Sequence, residues 1–230
     1  PVTLLILAAN LAFYARGLRP GLGAVEVLDW GALSGADLWR GDYYRLATTC
    51  FLHGGILHLG FNLLVLMTLG TDLERRIGSL RYAAVYLLSG LGGDLASVLF
   101  LPAEGPTVGA SGALFGLAGA HLALEMERGK SPTAFLTLPY GRNLLFFVLV
   151  NFGLGLVSPL VNNWAHAGGF AAGFAVLRVL FAGRFLRAGA RAWFIRAVVL
   201  LLAAEAAPYA CFSVARPAYQ MTRAAAFLEA

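Results

Sequence analysis

The chain has 230 residues, of which 59% are hydrophobic and only 13% are charged, and its mean hydropathy is +0.74. Soluble domains carry about 25% charged residues, so this composition excludes an ordinary soluble domain and indicates a membrane protein. The net charge of +5 does not predict nucleic-acid binding, because the basic residues stand in short loops between apolar runs. The two cysteines lack CxxC spacing and indicate neither a disulfide framework nor a metal centre, and we expect no cofactor.

Seven apolar segments come near the roughly 20 residues that cross a bilayer core as a helix. They cover residues 2–15, 56–73, 82–101, 111–124, 144–157, 165–181 and 193–212. Helices are expected because the alternating strands of a membrane barrel are absent from the sequence. The chain starts within an apolar run, so we expect its first helix to be truncated. The sequence therefore predicts an all-α polytopic membrane protein, with a six-helix core at 1–185 and a seventh helix with a short external tail at 186–230.

The arginine and lysine residues predict the orientation of these segments. The loops after the second, fourth and sixth segments are basic, whereas the loops after the third and fifth segments contain no lysine or arginine. Because cytoplasmic loops carry this excess of positive charge, we expect the basic loops to face the cytoplasm. The second, fourth and sixth segments then all enter the membrane from outside. This alternation predicts that His58, Asn62, Ser111 and His166 lie at a similar depth.

These four residues suit nucleophilic catalysis. A serine is a weak nucleophile unless a base takes its proton, and His166 is the natural base for Ser111 because histidine is poised near neutral pH. No acidic residue is predicted beside His166, so we expect a Ser–His dyad rather than a triad. His58 and Asn62 are four residues apart and share a helix face. Together with the backbone N–H groups of Ala110 and Ser111, they could stabilise an oxyanion.

Glycines spaced for close packing occur in both helices that carry the dyad. They are Gly112, Gly116 and Gly119 in the fourth segment, and Gly168, Gly169 and Gly173 in the sixth. Small residues at this spacing let helix backbones approach. We expect Gly109 to free the backbone of the turn before Ser111.

Five short motifs, in order and at suitable spacing, resemble the rhomboid family of intramembrane serine proteases across residues 40–180. Residues 53–62 are similar to the family's HxxxxHxxxN motif, 109–112 to GxSG and 165–173 to AHxxGxxxG. Residues 74–79 resemble the family's ExRxGS, and Tyr44-Arg45 stands where members usually have Trp-Arg. A seventh helix after a six-helix rhomboid-like core resembles the "six plus one" subset.

The resemblance implies a role for each matching residue. Ser111 would attack, His166 would act as the base, and His58 and Asn62 would line the oxyanion hole with Ala110. The residues implied to be structural are Gly109, Gly112, Phe115, Gly169, Gly173, Arg45, Glu74 and Arg76. Phe115 stands where many members have a tyrosine against the catalytic imidazole.

The resemblance also implies a substrate and a setting. Family substrates are single-pass transmembrane proteins, and we expect membrane lipids as the other partner and no nucleic acid. A substrate gate is expected between the second and fifth helices. The candidate gate aromatics are Phe61, Phe146, Phe147 and Phe152, with lipid-facing packing as the alternative for each. We expect a multi-pass protein of a bacterial inner membrane, with the active site opening to the extracytoplasmic side.

Three other interpretations stay open from the sequence. The GxSG stretch could be a packing motif alone. The chain could be a non-catalytic relative that binds membrane clients. It could also be a channel or transporter that uses Asp94, Glu205 and the histidines as an ion path, although inverted repeats are absent from the sequence. The absence of HExxH argues against a metalloprotease.

Overall fold

The computed structural model describes residues 1–17, 31–100, 107–158 and 161–182. The regular secondary structure in these parts of the chain is helical, apart from one antiparallel bridge between Leu33 and Thr107. The helices are α1 (Val2–Gly17), α2 (Gly35–Arg40), α3 (Arg45–Thr48), α4 (Ile56–Ile77), α5 (Ser79–Phe100), α6 (Ser111–Glu127), α7 (Pro132–Thr137), α8 (Pro139–Val157) and α9 (Asn163–Ala182). The predicted seventh segment, 193–212, lies outside the described residues.

Three of these helices, α4, α5 and α8, are long and apolar enough to cross a membrane. α6 has a different character because neighbouring helices enclose it. Every residue from Gly112 to Leu124 is buried except Leu122. A helix that is surrounded by protein needs small residues for packing rather than large apolar residues for lipid. This explains why α6 is rich in alanine and glycine.

Two predicted helix ends are wrong by several residues. α8 begins at Pro139 rather than at 144, and α4 continues to Ile77 rather than ending at 73. Proline is favoured at the first position of a helix. The end of α4 stays helical although it is charged, because Arg76 Nε contacts Asp72 at 2.7 Å and Arg76 Nη1 contacts Glu125 at 2.8 Å. The length of an apolar run therefore underestimates the length of a helix whose ends are polar or charged.

α4 contains one turn of π-helix over Leu66–Gly70, here called the π-turn, which the sequence did not predict. A π-turn inserts one residue into a helix and leaves its carbonyl groups imperfectly matched. His121 of α6 supplies a donor from outside, since its Nε2 lies 3.0 Å from the Leu69 carbonyl oxygen. His121 is completely buried. Its contact with the π-turn indicates a structural role for His121.

The long helices alternate in direction. Glu74, near the end of α4, accepts hydrogen bonds from the backbone N–H groups of Val2 at 2.6 Å and Thr3 at 2.9 Å. The start of α1 therefore lies beside the end of α4. At the opposite end of the bundle, Phe13 of α1 stacks on Phe51, just before α4. We call this opposite end the serine end, because α6 begins there at Ser111.

Glycines bring α6 and α9 into backbone contact. A methyl group added at Gly169 would overlap with the Gly112 carbonyl, and one added at Gly173 would overlap with the Gly116 carbonyl. α5 also approaches α9 closely, since a methyl group on Gly93 would lie 2.7 Å from the Ala165 carbonyl oxygen. These neighbours are backbone atoms, which cannot rotate away. Gly119 of α6 is equally tight, since a methyl group there would overlap with the Phe170 carbonyl, while Gly112 has more room, with its nearest neighbour at 3.4 Å.

Replacing Gly173 by alanine tests whether close packing or helix propensity dominates the stability at this position. Alanine favours a helix over glycine by about 1 kcal/mol, but overpacking costs about 1–3 kcal/mol, and a clash with backbone belongs at the upper end of that range. We therefore expect Gly173→Ala to lower the Tm in detergent. Gly153→Ala in α8 is the control, because nothing lies within 4 Å of the added methyl group. An unchanged Tm for Gly173→Ala would contradict the close contact.

Candidate active site

The turn before α6 depends on Gly109. Its φ of +124° is a conformation that favours glycine, and a methyl group there would lie 2.7 Å from Cε1 of the His58 ring. The Gly109 N–H donates to the Thr49 carbonyl at 3.0 Å. Gly109 therefore allows both the turn and the close approach of His58, as the sequence predicted for the turn.

Ser111 and His166 lie in the first turns of α6 and α9, and their side chains meet. Ser111 Oγ and His166 Nε2 are 3.0 Å apart, within hydrogen-bond distance. His166 is buried, with 3% of its surface exposed. The glycine contacts between α6 and α9 begin beside the dyad, at Gly112 directly after Ser111 and at Gly169 three residues after His166. The close approach of the two backbones is what allows two such short side chains to touch.

Aromatic rings hold the imidazole on the sides that carry no hydrogen bond. The Phe115 ring stacks on His166 with centroids 4.0 Å apart and planes 7° apart. Phe152 of α8 meets His166 edge-on at 6.2 Å. Within the described parts of the chain, His166 Nδ1 has no hydrogen-bond partner. The orientation of the imidazole therefore comes from packing, and the described residues place no carboxylate behind it.

Hydrogen-bond donors converge near Ser111. Asn62 is buried, and in the described part of the molecule its Nδ2 has no partner. The N–H groups of a first helical turn have no intrahelical acceptor, and no side chain caps the start of α6. Ala110 is the residue at that start, with φ −68° and ψ −4°. The arrangement presents a side-chain amide, the His58 ring and a helix start to one small volume.

His53 supports His58 rather than reaching Ser111. The two imidazole rings meet edge-on with centroids 5.1 Å apart, and His53 Nδ1 lies 3.3 Å from the Phe51 carbonyl oxygen. Burial, together with the charge that His58 could carry, lowers the pKa of His53 to about 4. His53 is therefore neutral at pH 7.

Sequence reasoning missed a polar cluster behind the dyad. It consists of Asn162, Ser97, Thr107 and Thr49. Asn162 caps α9, since its Oδ1 accepts from the Ala165 N–H at 3.0 Å. Asparagine is a preferred N-cap residue, so the cap could have been found from the sequence. The partners of Asn162 on α5 and on the turn before α6 could not, because they are 65 and 55 residues away.

Comparison with known proteins decides the family. A sequence profile of the rhomboid domain matches residues 40–183. The chain is 37% identical over 165 residues to the rhomboid protease GluP of Bacillus subtilis, an alignment that covers 71% of this chain and 31% of that protein. It is 42% identical over 162 residues to RHOMBOID-like protein 5 of Arabidopsis thaliana, covering 68% of this chain and 50% of that protein.

The chain belongs to the rhomboid family. The resemblance noted in five motifs is thereby confirmed. A third relative, Rhomboid-type serine protease 2 of Emericella nidulans, is 38% identical over 139 residues, covering 59% of this chain and 26% of that protein. The chain spans between a quarter and a half of the length of these three curated relatives. As a rhomboid with helices that are long and apolar enough to span a bilayer, it is a polytopic integral membrane protein.

The predicted gate aromatics of this rhomboid fall into two pairs. Phe147 and Phe152 point inward and pack on Phe115, with ring centroids at 5.0 Å and 5.7 Å. Phe61 and Phe146 point away from the protein, with 69% and 70% of their surfaces exposed. The first pair borders the dyad, while the second pair faces the surroundings of the bundle.

Three of the residues that the rhomboid resemblance marked as structural, Arg45, Glu74 and Arg76, lie away from the dyad. Arg45 Nη1 donates to the Ala32 carbonyl at 2.8 Å. Glu74 binds the start of α1 and also accepts from the Ser79 hydroxyl at 2.6 Å. Arg76 joins α4 to Glu125 of α6. Arg45 anchors the segment next to Leu33 at the serine end, and the other two tie helices together at the opposite end.

Asp94 does not join the dyad of this rhomboid. The residue is buried on α5, and its Oδ2 lies 3.8 Å from Cys50 Sγ. Its contact is therefore with the segment before α4 rather than with His166. Glu205, the other acidic residue that the sequence raised for an ion path, lies outside the described residues.

Shortening Phe115 should slow the reaction of Ser111 with a fluorophosphonate. Phe115→Leu removes the flat face on which the imidazole rests, and small misplacements of catalytic groups cost up to about 100-fold in rate. We expect a 10- to 100-fold slower labelling rate, whereas Phe115→Tyr keeps the ring and should label normally. Phe135→Leu, a buried site on α7, controls for lost core volume. Equal rates for Phe115→Leu and the wild type would contradict a role of the ring in holding His166.

Proposed function

We propose that this chain is an intramembrane serine endopeptidase that uses a Ser–His dyad. The observation that carries the proposal is the 3.0 Å contact between Ser111 Oγ and His166 Nε2. Two relatives, a rhomboid protease and a rhomboid-type serine protease, support the same reaction class. A serine buried only for packing would not need an imidazole at hydrogen-bond distance.

The first half of the reaction forms an acyl-enzyme. Neutral His166, protonated on Nδ1, accepts the Ser111 proton at Nε2 as Oγ attacks the carbonyl carbon of the scissile peptide bond. The imidazolium that forms lies against the Phe115 ring, whose π-face attracts a cation. The tetrahedral intermediate then loses its C–N bond, and His166 returns the proton to the leaving amine. Water repeats the sequence on the acyl ester and releases the second product.

The oxyanion of each tetrahedral intermediate needs donors that are already in place. In the part of the chain that the structure describes, Asn62 Nδ2 has no partner and no side chain caps the start of α6, and His58 borders the same volume. Preorganised donors in a site of low dielectric are the largest single contribution in many enzymes. We assign the oxyanion hole to His58, Asn62 and the backbone N–H groups of Ala110 and Ser111.

We propose transmembrane segments of single-pass proteins as substrates, admitted between α4 and α8. Among the described long helices, α8 is loosely held, with only Gly141 and Leu144 buried. A helical substrate must unwind before a serine can reach its carbonyl group, and unwinding in lipid leaves backbone groups unpaired. The inward-facing pair, Phe147 and Phe152, would then contact the unwound chain beside the dyad.

We also propose the setting of this reaction. The catalytic core spans 1–185 with six membrane helices, and 186–230 adds a seventh helix and an external tail. The basic loops face the cytoplasm, and the serine end opens to the extracytoplasmic side of a bacterial inner membrane. The charge asymmetry of the loops supports this orientation.

Removing either member of the dyad should abolish proteolysis. We expect Ser111→Ala and His166→Ala to leave no measurable cleavage of a fluorescent transmembrane reporter in proteoliposomes, with Tm values close to the wild type. Loss of the nucleophile or its base removes the covalent step itself. Cleavage at the wild-type rate by purified Ser111→Ala would contradict the proposal. A wild-type chain that binds the reporter without cutting it would instead favour a non-catalytic client-binding function.

Asn62→Ala should reduce kcat without changing KM. Losing one oxyanion donor costs about 100- to 1,000-fold in kcat, because the interaction forms only in the transition state. Asn151→Ala is the matched control, since the Asn151 amide donates to the Phe147 carbonyl of its own helix at 2.8 Å. A rise in KM at constant kcat for Asn62→Ala would contradict the assigned role.

A further inference from the structure

Asn162 and Thr107 occupy equivalent places before the two catalytic residues. Thr107 precedes Ser111 by four residues, and Asn162 precedes His166 by four residues. Their side chains meet, since Asn162 Nδ2 lies 3.1 Å from Thr107 Oγ1. A direct bond therefore joins the two chain segments just before they deliver the nucleophile and the base.

Asn162 makes three further hydrogen bonds at this point. Its Nδ2 donates to Ser97 Oγ of α5 at 2.6 Å. Its Oδ1 accepts from the Ala165 N–H at 3.0 Å, and its backbone carbonyl accepts from the His166 N–H at 3.1 Å. One amide thus ties the first turn of α9 to α5 and to the turn before α6. The Ser97 and Thr107 hydroxyls close the triangle at 2.9 Å.

Thr107 is fixed from its other sides as well. Its N–H and carbonyl pair with Leu33 at 2.7 Å and 3.0 Å, and its carbonyl also accepts from Thr49 Oγ1 at 2.6 Å. The turn that delivers Ser111 is therefore anchored to the segment between α1 and α4. Asn162, which bonds Thr107 and caps α9, connects this anchored turn to the helix that contains His166.

We infer that Asn162 is a positioning residue that sets the distance and angle between Ser111 Oγ and His166 Nε2. The inference rests on the proposed function. A triad carboxylate orients its histidine by bonding Nδ1, but His166 Nδ1 has no partner among the described residues. Stacking on Phe115 fixes the plane of the imidazole yet leaves it free to slide. The Asn162 bridge fixes the start of α9 relative to the start of α6 and so removes that freedom.

Three substitutions at Asn162 separate bridging from helix capping. Asn162→Ala loses both functions. Asn162→Ser keeps a preferred N-cap but is too short to reach Ser97 and Thr107. Asn162→Asp keeps the cap, and the two hydroxyls can turn to donate to its carboxylate. The readouts are the fluorophosphonate labelling rate of Ser111, the kcat and KM on a fluorogenic transmembrane peptide, and the Tm, all on the full chain.

We expect the alanine and serine variants to lose about tenfold or more in labelling rate and in kcat, with KM within about twofold of the wild type. The aspartate variant should recover most of the activity. Thr107→Val should lower kcat in the wild type but have little further effect in Asn162→Ala, because the two residues act through one bond. Wild-type kcat in Asn162→Ser, or full additivity with Thr107→Val, would overturn the inference.

A control for simple destabilisation is Asn10→Ala. Asn10 is completely buried in α1 and donates to the Ile6 carbonyl of its own helix at 2.8 Å. It should lower the Tm while leaving kcat unchanged. If it lowers kcat as much as Asn162→Ser does, the inference fails and general stability explains the loss. A wild-type chain that neither labels nor cleaves overturns the proposed function, whereas an active wild type with an active Asn162→Ser overturns this inference alone.

Discussion

Backbone contact between α6 and α9 is the constraint on which the site depends. Serine is a short side chain, and its hydroxyl can reach an imidazole on a neighbouring helix only if the two helix axes approach closely. Gly169 and Gly173 allow this approach, because any side chain there would overlap with the carbonyl groups of Gly112 and Gly116. Without a hydrophobic driving force in lipid, such close packing and interhelical hydrogen bonds are what hold helices together. The same contact therefore contributes to both stability and reactivity.

The described dyad lacks a carboxylate, and the fold replaces it with constraints from several directions. Phe115 sets the plane of the His166 ring, and the Asn162 bridge connects the starts of α6 and α9. A carboxylate buried beside the imidazole would have to be desolvated, which is costly in a medium of low dielectric. Neutral rings and an amide hold the same geometry without that cost. This is a physical reason for a dyad at this depth.

Buried polar side chains elsewhere in the described chain satisfy backbone groups of neighbouring helices. The π-turn in α4 receives His121 from α6, and Glu74 receives the first N–H groups of α1. Each contact satisfies backbone atoms that lipid could not solvate. Among the described residues, Asn62 at the serine end is an exception, because its amide donor is unpaired and lies in the volume around Gly109 that the His58 ring also borders. An unsatisfied donor is costly in a folded protein, and the proposed oxyanion supplies a reason for keeping it.

The helical membrane class and the family can be read from the sequence alone, because apolar length and five spaced motifs are local patterns. The sequence also predicts that Ser111 and His166 act in one reaction, since alternating topology brings both helix starts to one side. Tertiary structure decided the rest. The π-turn, the pairing of Asn162 with Thr107 and Ser97, and the division of the four gate aromatics depend on how helices rotate against each other. Rotation is set by contacts between residues that are distant in sequence, such as Gly173 with Gly116, and periodicity in one segment does not encode the partner that it meets.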